Sequence, residues 1–104
     1  MSIDTLKALI VSCDAKATEG FGAGTGNYTV WKRGSTNDLE ADDATAEEKY
    51  ICYVERFTKL GNDSVVTALD LALKNAPDIA IREHVVDYEL DTKYVHHTWT
   101  IEVI

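Results

Sequence analysis

The stretch from residue 93 to residue 103 constrains the fold more than any other part of this chain. Val95, His97, Trp99, Ile101 and Val103 alternate with Tyr94, His96, Thr98, Thr100 and Glu102. Successive side chains of a strand point to opposite faces, so this run predicts a strand with one apolar and one more polar face. Such a strand needs sheet partners beside it and a layer packed on its apolar side. The upstream sequence supplies both. Residues 79–90 read as a preceding strand, broken or bulged near Glu83-His84, and Asp91-Thr92 supplies a short turn between the two.

Two segments carry helical rather than strand periodicity. Over residues 3–17, Ile3, Leu6, Leu9, Ile10 and Cys13 recur at helical spacing, with Ser2 or Asp4 placed to cap the free amides. Over residues 64–75, Val65, Leu69, Ala72, Leu73 and Ala76 share one face, Asp63 or Ser64 can cap, and Asn75 and Pro77 end the helix. Between the helices lie two β-branched and aromatic runs, 27–33 and 48–59, which read as strands. The glycines at 20, 22, 24 and 26 argue for a loop, and the polar stretch 34–47 reads as a loop between the strands. The expected architecture is α+β, one domain over residues 1–104, in the order α-β-β-α-β-β. An antiparallel four-stranded sheet would carry two helices on one face. Residues 50–57 are apolar or aromatic on both faces, which suggests a strand covered on both sides, either by this chain or by a neighbouring subunit.

Charge narrows the function. Ten Lys and Arg against eighteen Asp and Glu give a net charge of −8. Nucleic-acid and anionic-membrane surfaces rest on clustered Lys and Arg, and the only adjacent pair here is Lys32-Arg33. No sequence-specific nucleic-acid contact and no membrane partner are expected. No apolar run approaches the roughly 20 residues of a membrane helix, and the first residues show no secretory pattern. Cys13 falls on a helical apolar face and Cys52 in a strand, so both read as small buried hydrophobes of a reducing compartment.

No stretch carries a chemical motif. His96 and His97 are neighbours on a strand and point to opposite faces, and no His or Cys pair has ligand spacing. Asp38, Glu40, Asp42, Asp43, Glu47 and Glu48 put six carboxylates into eleven residues, but without the glycine of a calcium loop. Gly20 to Gly26 lacks the Gly-Lys-Ser/Thr ending of a phosphate loop and precedes a strand rather than a helix. No nucleophile elbow is present. The expectation is a protein without catalytic residues, metal or cofactor.

Four passages then resemble a known family. Residues 28–33 read Tyr-Thr-Val-Trp-Lys-Arg, an acidic loop follows with Ala41-Asp42-Asp43, and the next strand ends Val54-Glu55-Arg56-Phe57-Thr58-Lys59. Residues 86–103 give Val-Asp-Tyr-Glu-Leu-Asp-Thr-Lys-Tyr-Val-His-His-Thr-Trp-Thr-Ile-Glu-Val. This pattern resembles the tail-terminator and tail-completion proteins of long-tailed bacteriophages, in element order along the whole chain and in motif over 41–59 and 86–103. The resemblance implies a non-enzymatic virion subunit that assembles with itself, commonly as a sixfold ring. That ring would cap the tail-tube protein and present the joining surface to a head–tail connector or stopper protein. It would reside at the head-proximal end of the tail, and in host cytoplasm during assembly.

By position, the subunit interface is expected to draw on Trp31, Arg33, Tyr53 and Arg56 and on Asp38, Glu40, Asp42 and Asp43, with Arg56 pairing to the acidic loop of a neighbour. Two alternatives share the small acidic build. One is another connector or stopper protein. The other is a phage-encoded inhibitor of a host protein, such as an anti-CRISPR, which would need carboxylates fixed on rigid elements at phosphate-like spacing.

Overall fold

The computed structural model describes residues 1–20, 26–34 and 49–104. Helix α1 spans Ile3–Cys13, strand β1 Thr18–Glu19, β2 Tyr28–Arg33, β3 Tyr50–Thr58, helix α2 Ser64–Asn75, β4 Ile79–Tyr88 and β5 Val95–Val103. The sheet has five strands in the order β1-β2-β3-β5-β4. It is antiparallel except where β1 runs parallel to β2, pairing Thr18 with Val30 and Glu19 with Trp31. The chain is therefore mixed α+β, as the periodicities indicate, with one more strand than the expected four. The extra strand is two residues long, and the Gly20 N–H donates to the Trp31 carbonyl at 2.8 Å where it ends. Gly20 has a φ of +93°, a conformation that L side chains rarely adopt, so the glycine lets the chain leave the sheet edge there.

The helix starts follow the capping rules. The Ser2 hydroxyl accepts from the Thr5 N–H at 3.1 Å, and the Asp63 carboxylate accepts from the Val65 N–H at 3.0 Å. The first helix stops at Cys13, not at residue 17. Asp14 has the extended angles φ −148° and ψ 104°, and its carboxylate accepts from the Lys16 N–H and from Arg56 of the sheet.

Cross-strand register assigns every side chain to a face. On the helix side, one row runs Trp31, Val54, Trp99, His84, and the next runs Thr29, Arg56, His97, Val86. The core joins Leu6 and Ile10 of α1 and Leu69 and Leu73 of α2 to Trp31, Tyr50, Cys52, Val54, Trp99, Ile101 and Val103 of the sheet. Each such aliphatic side chain contributes about 1.5–3 kcal/mol when fully withdrawn from water. Both helices therefore cover one face, and β5 alternates as its sequence predicts. The strand pairs shift register between Ile81 and Glu83, a bulge slightly before the expected Glu83-His84. On the other face Val30 of β2 and Ile51 of β3 are buried as well, while Tyr53, Glu55 and Phe57 of β3 are half-buried.

Candidate functional site

Arg56 sits in the middle of β3 and points toward the helices at 5% exposure. Its Nε donates to Asp63 Oδ2 at 2.8 Å, and its Nη1 donates to Asp14 Oδ2 and to Thr29 Oγ1, each at 3.2 Å. Asp63 caps α2 and Asp14 ends α1, so one guanidinium ties both helix ends to the sheet. Burying a charge requires this degree of satisfaction. Among the described residues no buried side-chain polar atom lacks a hydrogen-bond partner. The expected pairing of Arg56 with a neighbour's acidic loop is accordingly corrected: its partners are Asp63 and Asp14 of its own chain.

The remaining expected interface residues fall into three groups. Trp31 is 1% exposed in the core, so its side chain is not offered to a neighbour. Arg33 is exposed at the end of β2, its guanidinium 4.6 Å from the Tyr50 ring centroid. Tyr53 is half-buried on the open face, where Lys32, Tyr53, Glu55 and Thr98 line a shallow cavity of about 140 Å³. Asp38, Glu40, Asp42 and Asp43 lie outside the described residues.

The open face carries a second aromatic layer near the β4–β5 turn. Tyr28 stacks on Phe57 at 4.7 Å between centroids, and Phe57 stacks on His96 at 4.0 Å. Tyr94 meets both Tyr28 and Phe57 edge-on and donates its hydroxyl to the Gly26 carbonyl at 2.6 Å. His96 Nε2 lies 2.9 Å from Glu55 Oε1, and its Nδ1 lies 3.6 Å from Glu89 Oε2. Burial, with Tyr94, Glu89 and Glu55 nearby, pushes the Tyr28 hydroxyl above its usual range. This cluster closes on itself and has the character of packing.

On the helix side, the His84 and His97 rings lie beside Trp99. His84 stacks on the indole at 4.5 Å, and the indole N–H donates to Asp70 Oδ1 at 3.2 Å. Lys74 pairs with the other Asp70 oxygen at 2.8 Å and, ahead of the opposing effect of burial, holds that carboxyl below its usual range. Burial pushes the Cys52 thiol up to about 11, so it stays protonated and unreactive. Among the described residues no three or more His, Cys, Asp or Glu side chains gather as a metal site. No helix among them is long and apolar enough to cross a membrane.

Two of these groups set a pH dependence. Burial alone would raise the Asp63 carboxyl, but the hydrogen bonds from Arg56 and the Val65 N–H outweigh it and lower its pKa. Burial and the adjacent His84 lower that of His97. In both cases the unfolded chain binds protons at a higher pH than the folded one, so stability rises with pH across each window. We expect folding stability to fall first as the pH drops below about 6.5, the unfolded imidazole value, and again below about 4, the unfolded carboxyl value. Urea midpoints measured from pH 8 to pH 3 check this; a midpoint that rises on acidification contradicts it.

The feature with the clearest outward character is β4. It is ten residues long and forms one edge of the sheet. Ile79 and Ile81 pack against the core, but from Arg82 to Tyr88 every residue is exposed. Val86 is 53%, Tyr88 59% and Leu90 73% exposed, and Val85 is exposed on the opposite face. The bulge and the charges at Arg82, Glu83 and Asp87 blunt only part of this edge. An uncovered strand edge with apolar side chains on both faces is a template for pairing with another chain. Residues 79–90 hold no proline or glycine to interrupt such an edge; what the sequence does not reveal is that, among the described residues, none covers it. No protein-family model matches the chain, and no curated protein matches it.

Proposed function

We propose that this chain is a structural subunit that works by assembling with copies of itself, as a tail-terminator ring that caps the tail tube of a long-tailed bacteriophage and presents the head-joining surface. The observation that carries the reading is the uncovered β4 edge, with Val86, Tyr88 and Leu90 exposed along it and at its turn. Burial of such side chains against another protein removes apolar area from water, and the free edge offers backbone hydrogen bonds in register. The buried Arg56 ties fasten both helix ends to the sheet that carries that edge. The role is binding and closure, without chemistry.

A charge placed on the exposed apolar edge tests this. Val86→Lys is expected to leave the far-ultraviolet spectrum and unfolding midpoint nearly unchanged and to weaken self-association by about tenfold or more. With tail-tube protein added, the natural chain is expected to halt tube growth at a fixed length and Val86→Lys to permit longer tubes. Unaltered association and capping by the variant contradict the reading.

A further inference from the structure

We propose that His84 and His97 form a two-imidazole chelate for a late first-row divalent cation (Zn²⁺, Ni²⁺ or Cu²⁺) that fastens the exposed edge strand β4 to β5. The two residues lie diagonally across the β4–β5 pair: His84 is opposite Trp99, and His97 is opposite Val86. His84 Nε2 and His97 Nδ1 stand 3.2 Å apart, with ring centroids 5.5 Å apart and planes 29° from parallel. The two nitrogens thus face each other across a gap that holds one shared hydrogen. Two imidazole nitrogens bound to one tetrahedral ion, each at about 2.0–2.1 Å, stand about 3.4 Å apart. The observed spacing is close to that, and His84 is exposed, so turning its ring brings both lone pairs onto one point.

The proton balance is simple. In the ion-free pair one ring donates its N–H to the other ring's nitrogen. The donating ring moves that proton to its far nitrogen when the ion takes both lone pairs, so no net proton is lost. A groove of about 350 Å³ lined by Asp70, Leu73, Lys74, Ile79, Ile81 and His84 opens on the His84 side of the pair, and water from it would complete the coordination shell. The charged groups facing the pair are Asp70, paired with Lys74, and the buried Asp63–Arg56 couple, with His96 acting from the opposite face. Imidazole pairs suit Zn, Ni and Cu and discriminate against Mg and Ca.

Trp99 stacks on both rings, at 4.5 and 5.7 Å, and serves as a built-in reporter. Adding CuCl₂ to the natural chain at pH 7.5 is expected to quench tryptophan emission saturably, with one ion per chain by titration calorimetry. NiCl₂ and ZnCl₂ are expected to raise the thermal midpoint, since an ion that binds only the folded state stabilises it. His84→Ala, an exposed substitution, should weaken this binding by roughly tenfold or more. His96→Ala, on the other face, should leave it unchanged. Copper uptake that survives His84→Ala would assign the ion to carboxylates and overturn the proposal, as would the absence of saturable binding to the natural chain.

Discussion

Arg56→Met is expected to remove about 3–5 kcal/mol of folding stability, the scale for breaking a buried ion pair by deleting one partner. Methionine fills much of the same volume, so the loss is electrostatic more than steric. Without the guanidinium, Asp63 at 6% exposure loses its 2.8 Å partner, and Asp14 and Thr29 each lose a 3.2 Å bond. Both helix ends then lose their tie to β3. Replacing Asp63 by asparagine in the same background is expected to restore part of the loss, because asparagine still caps α2 and removes the orphaned charge. Urea unfolding of the three proteins measures it. A loss below about 1 kcal/mol for Arg56→Met would return Arg56 to the expected role at a subunit boundary, where a solvated ion pair is worth that little.

The second large effect is expected at Trp99, which is fully buried beneath the helices. Trp99→Ala should destabilise by about 3–5 kcal/mol, the range for truncating a large aromatic in a core. The indole packs in the cluster with Leu69 and Leu73, donates to Asp70 and supports the His84 ring, so its loss opens a cavity and unties α2 from β5 together. Trp99→Phe keeps most of the volume and loses the N–H, and should cost less than half as much. Thermal unfolding followed by circular dichroism separates the two. Equal losses would show that the hydrogen bond to Asp70, and not packing, dominates at this position.

Much of this fold is legible in the chain because it is written in local periodicity. The alternation of Val95, His97, Trp99, Ile101 and Val103 defines β5 and its buried face, and the stripes on Leu6/Ile10 and Leu69/Leu73 define the two helices. What local periodicity does not carry is pairing at a distance. Strand β1 is too short to show a period, and exists only because Thr18 and Glu19 reach β2. The tie from Asp14, at the end of α1, to Arg56 spans 42 residues of sequence. The same separation hid the role of Arg56, which a reading by position placed at an interface. The exposed apolar row at Val86 and Tyr88 was hidden for a related reason: a strand pattern says which face a residue takes, and only the packed structure says whether anything covers it.

The central claim is that this chain functions through assembly with itself, and the most direct measurement is its mass in solution by light scattering across a concentration series, with negative-stain images of the same samples. The account predicts a discrete closed oligomer, six copies for a tail-terminator ring, either alone or on addition of tail-tube protein. It also predicts that Val86→Lys shifts the mass toward a single chain. A protein that remains a single chain at every concentration, and that also leaves tail-tube protein uncapped, would contradict it.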